Sequence, residues 1–367
     1  MQESVKLFAL GGLGEFGKNL MVIAQGRDAV IVDCGAMFSD GRNPGLDIII
    51  PDFTPLIEAE YNIHAVLLTH AHEDHIGSIA YFLDEFPNVP VYGSKFTQAL
   101  VKHKCKEFMH NIQLDFRLIE PLQSFSVGPF RVHTVSMAHS IVEAMAFFID
   151  TAQGRIFHTG DFKIDHNPPD GHITDLESIE HLSREKEVVM MFSDSTNVMV
   201  PGPSLSESSV AEGLSKAFEQ TEGRLVITSF ASHIPRVQQI CELAQKYNRK
   251  ILFLGRSMIK NVKLAQELGH LDIPASAVVD EKQAIALKRN KLVIVCTGTQ
   301  AEPRAALSKM TLSQFRGLNL QEGDRVVFSS RAIPGNERDI YHLINHIYRT
   351  GATVWTGHDQ RIHVSGH

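Results

Sequence analysis

The sequence predicts a layered α/β chain in two parts, on three observations. Through about residue 160, short apolar runs rich in β-branched residues alternate with turn signals, the pattern of strands and hairpins. From about Ser204 onward, strand and helix patterns alternate at short spacing, which specifies a mostly parallel sheet. Histidines and aspartates cluster just past the ends of apolar strands.

In chain order, strands are expected at 5–10, 20–24, 29–33, 65–69, 89–93, 130–135, 144–150 and 155–158. Helical periodicity at 76–86 and 95–109 supplies outer layers for those strands. The run GGLGEFG contains G-x-G-x-x-G at Gly12, Gly14 and Gly17, yet 20–24 reads as a strand rather than a helix. Without a helix N-terminus there is no pyrophosphate site, so these glycines are expected to form a hairpin turn. In the second part, helices are expected at 204–220, 236–247, 258–268, 302–309 and 336–349. They alternate with strands at 225–230, 250–255, 291–298 and 324–330, and 352–357 reads as one more strand.

Composition narrows the class. With 43% apolar and 21% charged residues in 367, the chain is globular, not disordered, collagen-like or coiled-coil. Its four cysteines, Cys34, Cys105, Cys241 and Cys296, contain no CxxC pair, which argues against a disulfide scaffold or a thiolate zinc site. No basic-then-apolar leader opens the sequence and no run of about 18 apolar residues occurs, so a cytoplasmic location without a membrane is expected. Nineteen histidines are a marked excess, and imidazole is a common metal ligand.

Those histidines concentrate after the strand at 65–69, in His70-Ala71-His72-Glu73-Asp74-His75. A lone HxH is a polar loop. Four donors in six residues at a strand-to-helix turn can instead converge on one centre without long chain closure. Imidazole and carboxylate donors suit zinc, with manganese or iron as alternatives. His139 in SMAHS and Asp161 in FHTGDF add the remaining donor types, each after a strand. A carboxylate such as Asp161 can bridge two ions about 3.5–4 Å apart. His158 is left out, because alternation along its strand points it to the other face.

HxHxDH, His139, Asp161, GGLGEFGKN and the VDCG step at Asp33 resemble the metallo-β-lactamase superfamily of dinuclear metal hydrolases. SDSTN (193–197), SFASHIPR (229–236), GRSM (255–258), TGTQAEP (297–303), PGNE (334–337) and HVSGH (363–367) resemble its β-CASP branch. In that order they resemble the ribonuclease J family. The resemblance implies an α/β fold: a metallo-β-lactamase αββα sandwich with an inserted β-CASP α/β domain of mostly parallel sheet. Residues 1–203 would be the first part of the sandwich, 204–350 the insertion and 351–367 the returning segment. The family's last ligand to the second metal lies beyond HVSGH, so the sequence is expected to be a fragment.

By the same resemblance, His70, His72 and His139 hold one divalent metal, Asp74 and His75 the second, and Asp161 bridges them. Asp194 sits beside the metals, and Asp74, Asp194 and His367 form the catalytic set. Ser232 and His233, with His363, Val364, Ser365, Gly366 and His367, contact phosphate, although the family usually has Asn where His233 stands. The implied activity is metal-dependent hydrolysis of RNA, 5′-to-3′ and internally, by a metal-bridging hydroxide with His367 as general acid. The implied partners are 5′-monophosphorylated single-stranded RNA, a second copy of the chain and an RNA-decay assembly. A net charge of −7 requires RNA affinity to be local. Lys102, Lys104, Lys106, Arg236, Arg256, Lys260, Arg304 and Arg331 are the candidate contacts, against their reading as solvated faces. Phe230 reads as core. Two other functions stay open: a small-molecule ester or thioester hydrolase, and an RNA-binding subunit with a crippled centre.

Overall fold

The computed structural model describes residues 4–38, 45–46, 48–108, 114–333 and 335–367. Met109 of the second expected helix and Pro334 of PGNE lie outside the described residues. The chain divides into two compact units. One runs to Ile164 and adds His172–Pro201 and His367, and the other holds Asp165–Gly171 and Gly202–Gly366.

In the first unit, two sheets face each other. The six-stranded sheet runs Val5–Gly11, Leu20–Gln25, Asp28–Val32, Asn62–Leu67, Val91–Gly93, Phe116–Leu118. Its first three strands are antiparallel neighbours and the rest are parallel. The glycine run is the hairpin between the first two strands, with Gly12, Gly14 and Gly17 at φ of +86°, +74° and +94°. The five-stranded sheet runs Val188–Phe192, Gly154–His158, Met145–Thr151, Phe130–Ser136, Ser124–Val127.

Alternation decides what fills the space between them. Val132, Phe147, Ile149 and Ile156 meet Ile23, Val30, Ala65 and Leu67 in the inter-sheet core. Their neighbours Val135, Ala146, Phe148 and Phe157 point outward against Ile179 and Leu182 of the helix Leu176–Glu185. Both faces are covered, which is why Met145–Ile149 reads as an unbroken apolar run. Phe147 is fully buried, and truncating such a side chain to Ala costs about 3–5 kcal/mol. The edge strand Val188–Phe192 differs, with Val189, Met190 and Met191 49%, 45% and 56% exposed.

The second unit is a five-stranded, wholly parallel sheet in the order Lys250–Leu254, Leu292–Cys296, Leu225–Thr228, Arg325–Phe328, Thr353–Trp355. Its helices include Val210–Glu219, Ile234–Lys246, Arg256–Glu267 and Glu337–Arg349.

Three expectations change. The Thr353–Trp355 strand pairs with Arg325–Phe328, so residues 351–366 belong to the second unit and only His367 joins the first. The helix expected at 76–86 is two, Glu73–Ile76 and Ile79–Glu85. Gly77 caps the first of them so tightly that a Cβ there would lie 2.5 Å from that of Ala36. The helix expected from Ser204 begins as a 3-10 turn, Glu207–Ser209.

Candidate metal centre

The His70–His75 segment is fixed by its backbone before its side chains matter. Asn19 N–H donates to Asp74 O at 3.0 Å, Cys34 N–H to His75 O at 2.7 Å and Ala36 N–H to Glu73 O at 3.0 Å. Gly35 makes this approach feasible, since a Cβ there would lie 1.5 Å from Asp74 O. The loops after Phe130–Ser136 and Gly154–His158 then bring in His139 and Asp161.

Donor atoms of His70, His72, His139 and Asp161 all lie within 4.8 Å of one another. His72 Nδ1 is 3.0 Å from His70 Nε2 and 3.1 Å from His139 Nε2. Asp161 Oδ2 is 3.8 Å from both His70 Nε2 and His139 Nε2. Tetrahedral coordination with bonds of about 2.0–2.1 Å gives ligand–ligand edges of about 3.3 Å, so the four donors fit one ion such as zinc. Asp74, His75 and Asp161 form an adjoining group. There His75 Nε2 is 3.2 Å from Asp161 Oδ2 and 3.5 Å from Asp74 Oδ2.

The surroundings set which nitrogen faces the centre. Thr69 Oγ1 gives its proton to the Asp33 carboxylate at 2.9 Å, so it accepts from His70 Nδ1 at 3.0 Å and leaves Nε2 as the lone-pair donor. His75 Nδ1 donates to Asp33 Oδ2 at 2.8 Å, which aims Nε2 the same way. Burial, then the neighbouring imidazoles, holds His70 well below the usual histidine range, and burial chiefly pulls His72 down to about 3. Both are neutral, as metal ligands must be. Burial alone would also depress His75, but the charges of Asp161, Asp74 and Asp33 raise it well above. Burial would raise Asp161, yet His75 holds it well below the carboxylate range. His75 and Asp161 therefore hold each other charged, while His70 and His72 resist protonation and keep their lone pairs.

Known proteins share this architecture. Residues 13–202 match the metallo-beta-lactamase superfamily, and residues 222–347 match the ribonuclease J beta-CASP domain. Proteins named ribonuclease J are 39% identical in Corynebacterium glutamicum and 41% in Mycolicibacterium smegmatis, each over 99% of this chain. The chain belongs to the metallo-β-lactamase superfamily. It spans 50% and 64% of the lengths of those two relatives. A crystal structure of a protein of unknown function from Enterococcus faecalis V583 has the same fold, with a TM-score of 0.67 at 16% identity. That match covers 99% of this chain and 88% of the other.

In this superfamily frame, Asp194 and His367 stand beside the donors. His367 Nδ1 is 2.5 Å from Asp194 Oδ2, and the His367 ring lies 4.9 Å from that of His139. Asp194 is fixed by Phe162 N–H at 3.3 Å and Thr196 N–H at 2.8 Å. Burial works to lower His367, but the bond to Asp194 prevails and raises it. His158 takes no part in the donor groups.

The β-CASP residues fall differently from the expectation. Ser232 is half-buried, His363, Ser365 and Gly366 are half-buried, and Val364 is buried. His233 is only 4% exposed and its Nε2 lies 3.5 Å from Glu207, so the ring turns inward instead of presenting an open phosphate contact. Arg236, expected as an RNA contact, is fully buried and bonded to Glu207 and main-chain oxygens. Arg256, Arg304, Arg331, Lys102 and Lys106 are exposed, while Lys104 is tied to Glu73 at 2.5 Å. Sequence reasoning missed the orienting roles of Asp33, Thr69 and Asn19, whose amide is 3.2 Å from His75 Nε2. A signal existed in the acid directly after an apolar strand, in VDCG.

Proposed function

We propose that this chain carries the catalytic centre of a metal-dependent ribonuclease that hydrolyses RNA phosphodiesters from the 5′ end and internally. The observation that carries the reading is the convergence of His70, His72, His75, His139, Asp74 and Asp161, with the Asp194–His367 pair alongside. Relatives named ribonuclease J, about 40% identical over nearly the whole chain, support it. His70, His72, His139 and Asp161 would hold one divalent ion, and Asp74, His75 and Asp161 a second, zinc or alternatively manganese. Such ions lower the pKa of bound water toward about 7 and offset charge on phosphoryl oxygens.

The chain's own side chains do the rest. Asp33 and Thr69 fix the ring faces of His75 and His70 so that no reorganisation accompanies reaction. Asp194 holds His367 by Nδ1, so Nε2 delivers the proton to the departing ribose oxygen. The bond to Asp194 raises the affinity of His367 for its proton above that of a free imidazole, which favours the acid form. Ser232 and His363–Gly366 are the proposed phosphate contacts, and single-stranded RNA with a 5′-monophosphate the proposed substrate. The cytoplasm is the proposed setting, with self-association and an RNA-decay assembly as proposed partners; no helix among the described residues is long and apolar enough to cross a membrane.

The test is turnover by the full-length protein, loaded with zinc or manganese, on 5′-monophosphorylated RNA and on a thioester. RNA cleavage is expected, and thioester turnover without it overturns the reading. His367→Ala should retain its metals by elemental analysis while kcat falls about 10²–10⁴-fold. Unchanged kcat removes the general-acid role.

A further inference from the structure

Arg236 is a buried cation whose fork spans two different jobs. Its Nε and Nη2 bond both oxygens of Glu207, at 2.5 and 2.7 Å. Nη1 points the other way, to Ser329 Oγ at 2.5 Å, Ser329 O at 3.2 Å and Ile362 O at 3.1 Å. Ser329 Oγ, having accepted from the arginine, donates its own proton to the same Ile362 carbonyl at 2.6 Å. Glu207 is held in turn by Gln239 Nε2 at 3.1 Å, and its N–H donates to Asp165 Oδ2 at 2.8 Å. From the far side, the helix Val210–Glu219 presses Gly213 onto residue 361, where a Cβ would sit 2.1 Å from Arg361 O.

A buried ion pair seldom adds net stability over well-packed apolar residues of equal volume. What an apolar residue cannot supply is direction: a guanidinium offers five donors in a rigid plane. Here that plane converts the fixed position of Glu207 into a fixed position for the peptide at Ile362. Two donors on one carbonyl from below and a glycine-only contact on the preceding carbonyl leave this stretch little freedom. The next five residues are His363–His367.

We propose that Arg236 is a positioning residue, which with Ser329 and Gly213 clamps the 361–362 peptides and so sets the backbone geometry in which His363–His367 follow. The inference rests on the reading of His363–His367 as phosphate grip and proton donor. Arg236 touches no reacting atom and acts through the segment it holds.

The experiment uses full-length, metal-loaded protein and two variants that disturb the clamp by unrelated contacts: Ser329→Ala, which removes only a hydroxyl, and Gly213→Ala, whose Cβ would press on Arg361 O. Arg249→Lys is the control. Arg249 is another buried arginine of the same unit, bonded to the carbonyls of Gly223 and Thr221 rather than to residues near 362. The readouts are metal content, melting temperature, Kd for a non-cleavable 5′-phosphorylated 2′-O-methyl oligonucleotide, and kcat and KM on RNA. Both clamp variants should keep their metals, weaken oligonucleotide binding and lower kcat, each by about tenfold, the lower end of what loss of a supporting contact costs. The control should lower the melting temperature and leave Kd and kcat within twofold. Clamp variants that match the parent in Kd and kcat overturn the clamp, as does a control that reproduces their kinetic loss. A parent that cleaves no RNA overturns the underlying site reading instead.

Discussion

The first unit contains two clusters of histidine and carboxylate that differ in one component. Around Asp161, imidazoles of His70, His75 and His139 approach the carboxylate with Nε2 foremost. Around Asp150, His133 sits 2.7 Å from Ser124 Oγ and 3.4 Å from Asp150, in the outline of a nucleophilic triad. There Arg155, 2% exposed, fills the middle: it bonds Asp150 twice, at 2.6 and 3.1 Å, and His133 Nε2 at 3.2 Å. An arginine only donates, so His133 must accept at Nε2 and donate from Nδ1 to Ser124. That tautomer cannot take the serine's proton. The Asp150 cluster carries its cation covalently and is closed, whereas the Asp161 cluster is arranged around a cation that must come from solution. Histidine and carboxylate occur in both; the presence of a built-in guanidinium separates scaffold from site.

The contrast can be broken at either end. Asp161→Ala removes the carboxylate shared by all three donor groups, and should empty the site in elemental analysis and reduce RNA cleavage at least about a thousandfold, roughly 4 kcal/mol of transition-state stabilisation. Retention of both metals would break the equation of that cluster with a metal centre. Arg155→Met leaves Asp150 with Lys186 at 3.5 Å as its remaining cation and should cost about 3 kcal/mol in urea unfolding with metal content unchanged. A loss of metal there would erase the distinction between the clusters. Asp33→Ala frees His75 and should weaken metal binding about 10–100-fold in competition with a chelator, with the fold retained.

A smaller, pH-dependent effect belongs to the second unit. Burial would raise Glu207, but His233 and Arg236 pull it far below its ordinary value. A carboxylate depressed in the folded state adds stability above its unfolded pKa of about 4.3, lost as pH falls toward the folded value. Urea midpoints should therefore decline from pH 5 to pH 2.5 more steeply in the parent than in Glu207→Gln. Parallel declines would show that the carboxylate is not held by this pairing.

Local patterns were legible and long-range ones were not. HxHxDH is contiguous and follows a strand, so its convergence could be read directly, as could the hairpin at Gly12–Gly17. Asp33 reaches His75 across 42 positions, and nothing local marks that partnership. TVW at 353–355 is strand-like wherever it pairs, which is why residues 351–366 were placed with the wrong unit. Arg236 was misread for a related reason: side-chain type states a charge, while burial depends on which carboxylate arrives from elsewhere. The strand Val188–Phe192 was missed although a turn-forming run, SDSTN at 193–197, follows it directly.

That strand has a consequence outside catalysis. Val-Val-Met-Met-Phe ends its sheet with no lysine, proline or inward charge to blunt it. An edge of this kind is adhesive toward any extended chain, another copy included. For these 367 residues taken by themselves, light scattering at rising protein concentration will therefore report on this edge sooner than on any loss of the metal-binding residues.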